Sequence, residues 1–291
     1  MSNKVVRLGC ATILAVFIGV AAACVNTYWK MMKAVEEFRL LTAPVVSDSR
    51  ERDAVKILVI GNSINYQHMV PLALSQFIKE GMHKPTKVWQ VLVPGQTLAG
   101  HWKTGVAQKK IAAGGPWDIV ILQGATFEVF QDLKALEEFA QKFDGAIKDA
   151  GAKTVLFETY ADKLQVHKQK RVDEAYRLIG KQLNVPVVPV GQAYFYAAKK
   201  DEYLELYESD EHHPSQCGSF LISCVVYEYL FDKDPHGMPF TFEFSLPGGS
   251  KKIKTIELTK EQAREIEDIA WEFYKANPPA VPFASAAQTV N

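Results

Sequence analysis

The stretch Val55-Lys56-Ile57-Leu58-Val59-Ile60-Gly61-Asn62-Ser63 decides how this chain folds. Residues 55 to 60 are aliphatic except for Lys56, the near-continuous apolar run of a parallel strand buried on both faces. Gly61-Asn62-Ser63 ends the run in a sharp strand-to-helix turn. Similar runs recur at 88–93, 118–122, 154–157 and 185–190. Helical patterns lie between them, over roughly 67–81, 103–113, 130–150 and 164–183. This alternation predicts a three-layer α/β/α domain around a central parallel five-stranded sheet. A further helix is expected from Pro214 to about Leu230, then a hairpin across residues 240–257. Thr259, with Glu261 and Gln262 behind it, opens a last amphipathic helix that runs to about Ala276.

That domain is placed at residues 51–277 of the 291. Residues 25–50 read as a linker, and residues 278–291, rich in Pro, Ala and small residues, as a disordered tail. The first 24 residues form a signal peptide or membrane anchor. Lys4 and Arg7 precede an uncharged run from Leu8 to Cys24, the signature of an export signal. Cleavage after Ala21-Ala22-Ala23, lipidation at Cys24 and retention as an anchor all remain open, and export or tethering is expected in each case. Hydrophobic residues are 48% and charged residues 23%, as in ordinary globular proteins. Lys plus Arg and Asp plus Glu are 33 each, so no net field recruits a polyanion and nucleic acid is not an expected partner. Cys217 and Cys224 lie seven residues apart on one expected helix, about 10 Å along its axis. That is too far for a disulfide, so buried free thiols are expected.

In open parallel sheets, ligands bind beyond the carboxyl ends of the strands. Those ends carry Gly61-Asn62-Ser63, then Pro94-Gly95-Gln96-Thr97, then Gln123-Gly124-Ala125-Thr126. Asp210-Glu211-His212-His213-Pro214-Ser215 follows near the end of the domain. Singly, a glycine-flanked serine, a glycine turn and two adjacent histidines are weak signals. Their order along the chain is more specific. The segments Ile60-Gly61-Asn62-Ser63, Gly95 and Asp210-x-x-His213-Pro214-Ser215 resemble the blocks of the SGNH (GDSL-like) hydrolases, over roughly residues 55–275. The resemblance implies a flavodoxin-like fold and ester hydrolysis through an acyl-serine. The chain departs from the pattern twice: Asn62 stands where Asp is common, and Leu122-Gln123-Gly124 replaces the usual Gly-x-Asn-Asp block. The Leu-Gln form looks like an uncharacterised branch.

The resemblance and the chemistry of the side chains assign the same roles. Ser63 is the expected nucleophile, His213 its general base, and Asp210 the carboxylate that fixes the imidazole tautomer. The backbone N–H groups of Ser63 and Gly95, with the Gln123 side-chain amide, are the expected oxyanion hole. His212 is the rival base. Tyr66, His101, Trp102, Phe127 and Tyr160 follow strand ends and are candidate pocket liners. The expected substrate is an O-acyl ester, acetyl first, on an extracytoplasmic carbohydrate. An acyltransferase on the same triad and a non-catalytic carbohydrate-binding module are the alternatives. No cofactor or metal is expected: nucleotide-loop patterns are absent, as are His-x-His and His-Glu-x-x-His spacings.

Overall fold

In the computed structural model, residues 44–47, 53–245, 252–279 and 283 are described. The segment 1–24, expected to be a signal or anchor, lies outside them, as does most of the tail. Among the described residues no helix is long and apolar enough to cross a membrane. The chain runs β1 (Pro44–Ser47), β2 (Val55–Gly61), α1 (Ser63–Tyr66), α2 (Val70–Met82), β3 (Thr86–Leu92), α3 (Leu98–Thr104), α4 (Val106–Gly114) and β4 (Ile119–Leu122). It continues through α5 (Glu128–Gln131), α6 (Leu133–Asp149), β5 (Lys153–Phe157), a 3-10 segment at Lys163–Lys168, α7 (Gln169–Leu183), β6 (Val187–Val188) and α8 (Val190–Lys200). Helix α9 (Gln216–Phe231), the β7 (Thr241–Ser245) and β8 (Lys252–Glu257) hairpin, and α10 (Lys260–Ala276) complete it.

Strands β2 to β6 form the expected five-stranded parallel sheet, in the order β3-β2-β4-β5-β6. A sixth strand, β1, pairs antiparallel with β3 at the edge. It falls inside the segment taken for a linker. Pro44-Val45-Val46-Ser47 is short and opens on a proline, which an edge strand tolerates because one side of it needs no ladder partner.

β2 sits centrally because its residues from Ile57 to Gly61 are all buried. Leu58 and Ile60 point into a cluster with Leu136, Phe143 and Ile147 of α6 and Val172, Tyr176 and Ile179 of α7. On the opposite face α2 packs against β3 and α9. Every residue of α9 from Cys217 to Phe231 is buried, so this helix is enclosed on all sides rather than amphipathic, with Ser219, Ser223 and Glu228 among its buried residues. Cys217 and Cys224 are free thiols there, and burial pushes both upward in pKa.

Two helices depart from their sequence patterns. The expected helix at 103–113 splits at Gly105, whose φ of +70° ends α3 and starts α4. The run 185–190 pairs only over Val187 and Val188, because prolines at 186 and 189 supply no N–H to a ladder. The chain then enters α8, which the apolar pattern did not announce.

The crossovers fix where a site can form. From β2 the chain passes to β3 on one side, then back to β4 on the other. The carboxyl end of β2 is therefore the point where the winding reverses, and a crevice opens there between diverging loops. Phe77 of α2 closes the far side, with ring centroids 5.7 Å from Phe220 and Tyr227 of α9 and 6.1 Å from Phe242 of β7. Phe77→Ala should therefore cost about 3–5 kcal/mol, read as a lower denaturation midpoint with the slope unchanged.

Candidate active site

Three loops meet beyond the carboxyl end of β2, and one buried asparagine joins them. Asn62, 3% exposed, is the N-cap of α1; its Oδ1 accepts from Ile64 N–H at 3.3 Å. Its Nδ2 donates to Gln96 O, after β3, and to Gly124 O, after β4, each at 3.3 Å. Ser63, the next residue, is the first of α1 and is 8% exposed. α1 is one turn long, so what its N-terminus offers at Ser63 is the local N–H groups rather than a helix dipole.

Gly95 lies in the turn Val93-Pro94-Gly95-Gln96, closed by Gln96 N–H to Val93 O at 3.0 Å. Proline and glycine take the two central positions, and Gly95 has φ of +67°, as a type II turn requires. A Cβ there would meet nothing within 4 Å, so glycine serves the backbone angle and leaves its surroundings open. Among the described residues, neither the Ser63 nor the Gly95 N–H donates to another group.

Gln123 does not do what its position suggested. Its side chain is fully buried under Gly61-Asn62, and every polar position on it is taken. Oε1 accepts from Asn62 N–H at 3.1 Å and from Asn65 Nδ2 at 2.7 Å. Nε2 donates to Asn62 Oδ1 at 2.6 Å and to Gly124 O at 3.2 Å. An amide has two N–H donors, and both are used, so none remains for an oxyanion. Gln123 instead braces the nucleophile turn from below. Gly61 permits this, because a Cβ at 61 would overlap Gln123 Oε1. His101, 1% exposed, holds the same turn from the other side, with Nε2 2.8 Å from Gly61 O. Burial pushes the His101 pKa down, so the neutral ring donates to that carbonyl.

The acidic loop builds the other half of the site. Asp210 Oδ2 lies 2.6 Å from His213 Nδ1, while Oδ1 accepts the backbone N–H groups of His212 at 3.0 Å and His213 at 2.9 Å. The bond to the His213 ring, followed by these two amides, holds the Asp210 carboxyl well below the usual carboxylate range. A carboxylate on Nδ1 fixes the proton there and leaves Nε2 as the basic nitrogen. His212 has a carboxylate of its own, Asp162 Oδ1 at 2.6 Å, and its ring stands edge-on to His213 with centroids 4.7 Å apart. The rival imidazole is thus tied to the loop after β5.

What brings the halves together is a residue that the sequence pattern passed over. His68, five residues beyond Ser63, places Nε2 2.9 Å from Glu208 Oε1 and Nδ1 2.9 Å from Thr255 O. Glu208 N–H in turn donates to His213 O at 2.8 Å, and Lys163 N–H to Glu211 O at 2.9 Å. Asp210 and His213 are therefore in direct contact, while Asn62, beside Ser63, bonds Gln123 and the carbonyl of Gln96, the residue after Gly95. The Ser63 hydroxyl makes no hydrogen bond to His213 or to any other described residue. Of the candidate pocket liners, His101 and Tyr160 are core residues, and Tyr160 stacks on Tyr194 with centroids 4.0 Å apart. Trp102 packs edge-on against Phe143, and Phe127 is 43% exposed. A cavity of about 870 Å³ runs beside β6 and α7, past Glu158 and Asp173, and includes none of the candidate site residues.

Because Gln123 carries the turn, Gln123→Ala should lower stability by about 1–3 kcal/mol for each buried partner left unsatisfied. Denaturant unfolding should show this loss even where no substrate is present. A variant as stable as the parent would return Gln123 to the role of oxyanion donor.

No family model and no curated protein matches the chain. Solved structures do. A candidate SGNH hydrolase from Slackia heliotrinireducens is 23% identical, covers 60% of this chain and 98% of its own, and superposes with a TM-score of 0.51. A DUF4886 family protein from Bacteroides uniformis is 15% identical, covers 78% and 96%, and gives 0.62. The acetyl xylan esterase AlAXEase is 14% identical, covers 60% and 98%, and gives 0.51. At these identities the likeness is one of architecture, and that architecture is the three-layer α/β/α fold of the SGNH hydrolases.

Proposed function

We propose that the chain is a serine esterase in which Ser63 attacks an acyl ester, His213 takes its proton, and Asp210 holds the imidazole. The 2.6 Å contact between Asp210 and His213 carries this reading. It presets the tautomer a general base needs, in a loop tied to the segment that follows the serine turn. The step the proposal adds is closure of Ser63 onto His213 Nε2. Catalytic hydrogen bonds are often long without substrate and tighten when it binds.

The reaction then divides into two halves. Ser63 Oγ bonds to the acyl carbon as His213 takes the hydroxyl proton. The tetrahedral oxyanion is received by the backbone N–H groups of Ser63 and Gly95, a hole of two amides now that Gln123 is occupied. His213 returns the proton to the leaving alcohol, and the acyl-serine forms. Water, deprotonated by the same imidazole, releases the acid and restores Ser63.

An O-acetyl group on an extracytoplasmic carbohydrate is the proposed substrate. Three features support it: the fold shared with an acetyl xylan esterase, the partly exposed side chains of Asp210 and His213, and the basic-then-apolar start of the sequence. The same start supports export or tethering to a membrane.

The test is hydrolysis of p-nitrophenyl acetate and of acetylated xylan, with fluorophosphonate labelling in parallel. Ser63→Ala should remove labelling and lower kcat by ~10⁴-fold or more. A folded parent that neither labels nor turns over would leave a non-catalytic carbohydrate-binding role. His213→Ala should be as inactive as Ser63→Ala, with His212→Ala retaining most of its turnover; the reverse order would transfer the base to His212.

A further inference from the structure

The loop that carries His213 is closed on itself, so its position depends on what holds it from outside. Tyr207 and Pro214 form an antiparallel bridge, Glu208 N–H donates to His213 O at 2.8 Å, and Ser215 N–H donates to Leu206 O at 3.0 Å. Three contacts tether this unit to the segment after β5. They are the Tyr207 hydroxyl to Ala161 O at 3.0 Å, Lys163 N–H to Glu211 O at 2.9 Å, and the His212 ring to Asp162 at 2.6 Å. On the side of Ser63, the Glu208 carboxylate bonds the His68 ring.

The other nitrogen of that ring meets a β-bulge. In the β7–β8 ladder Ile256 pairs with Phe242 and Lys254 with Glu243, so Thr255 is the extra residue between them. Its carbonyl faces His68 Nδ1 at 2.9 Å, as Glu208 Oε1 faces Nε2 at 2.9 Å. A neutral imidazole has one N–H and one lone pair. With Glu208 ionised, it would turn that lone pair on one of the two oxygens. The ring with two protons donates to both, and its bond to Glu208 is then charge-assisted.

The charged groups nearby have other partners. Residues 63–78 contain no Lys, Arg, Asp or Glu. On the acidic loop, Asp210 is occupied by His213 and two backbone amides, and Glu211 N–H donates to Glu208 O at 2.9 Å. On β8, Lys254 pairs with Glu257 at 2.5 Å and is attracted by Glu243 of β7.

We infer that His68 is a positioning residue: doubly protonated, it holds the Glu208 end of the base loop to the segment that carries Ser63, and it lets go when the ring loses a proton. The part that concerns turnover rests on the reading of Ser63 and His213 as nucleophile and base. Arginine, charged throughout, would make a clamp indifferent to pH. Histidine makes one that opens when its proton leaves. Once open, the loop keeps its three contacts to the segment after β5 and loses this hold beside the nucleophile.

The experiment follows the ¹⁵N-labelled full chain by NMR as the pH is raised. In the parent, both His68 ring nitrogens should be protonated while the ring shows NOEs to Glu208 and Thr255. The NOEs to Glu208 should vanish with the second ring proton. NOEs to Glu208 from a ring with a single proton would overturn the inference. In Glu208→Gln the side-chain amide can accept from a protonated ring or donate to a neutral one. There the NOEs to residue 208 should persist through the same titration, and their loss in step with the parent's would overturn the inference too. Turnover of p-nitrophenyl acetate tests the positioning role. In an active parent, kcat should fall on the alkaline side with the midpoint read from the His68 ring. His68→Ala should lose about 10- to 100-fold in kcat with little change in KM, and unchanged kcat would overturn the positioning role. The parent titration decides the protonation claim even if His68→Ala folds poorly. An inactive parent whose ring behaves as described would sink the esterase reading alone.

Discussion

The amide pair of Asn62 and Gln123 is the interaction on which the rest of the site depends. At the end of β2 the chain must stop pairing, turn sharply and expose a serine, all within a buried setting. The backbone groups released by that turn need partners, since each one left bare inside the protein costs about 1–3 kcal/mol. Asn62 and Gln123 supply them by facing each other in the space that Gly61 leaves. Asn65 closes the set from α1, and Gly124 O closes it from the neighbouring loop. Both side-chain amides of the pair have every N–H matched to an acceptor. A satisfied buried polar network admits one arrangement where an apolar core would allow several packings. The nucleophile turn is therefore rigid before any substrate arrives.

Against this rigid half stands a loop ordered by charge. Between Glu208 and His213 the chain is short, polar and half exposed, with Glu211 at φ of +61°. No apolar core holds it; carboxylate–imidazole contacts do, at Asp210–His213, Asp162–His212 and Glu208–His68. Partly exposed polar contacts of this kind contribute little to overall stability. Their value here is geometric, because each one fixes a ring nitrogen and a loop position together. Apolar packing sets the nucleophile, whereas charge and hydrogen bonding set the base.

Much of this architecture was legible because it rests on local patterns. The aliphatic runs announced the five parallel strands and the carboxyl ends that bear Ser63 and Gly95, and Thr259 announced α10 through its capping box. Other features were hidden for identifiable reasons. β1 is too short for its apolar content to stand out from a linker, and α8 begins within a run that looks like strand. Gln123 stood in the right place for an oxyanion donor, but nothing in its own neighbourhood revealed that Asn62 and Asn65 would consume its amide. His68 and Asp162 carried no motif, since their partners lie 140 and 50 residues away.

Taken alone, the chain's order of residues determined the layered fold, the end of the sheet where chemistry can occur, and the pairing of Asp210 with His213 three positions later. These follow from strand and helix periodicity and from short-range reach, which need no knowledge of the whole. Only the tertiary structure decided which amide is free and which is spent, which histidine answers to which carboxylate, and how the loops after β3 and β4 are bridged. Those outcomes depend on donors and acceptors meeting across distant segments. A hydrogen bond is directional and each proton serves one strong bond, so such pairings are settled only once the backbone has fixed every partner in space.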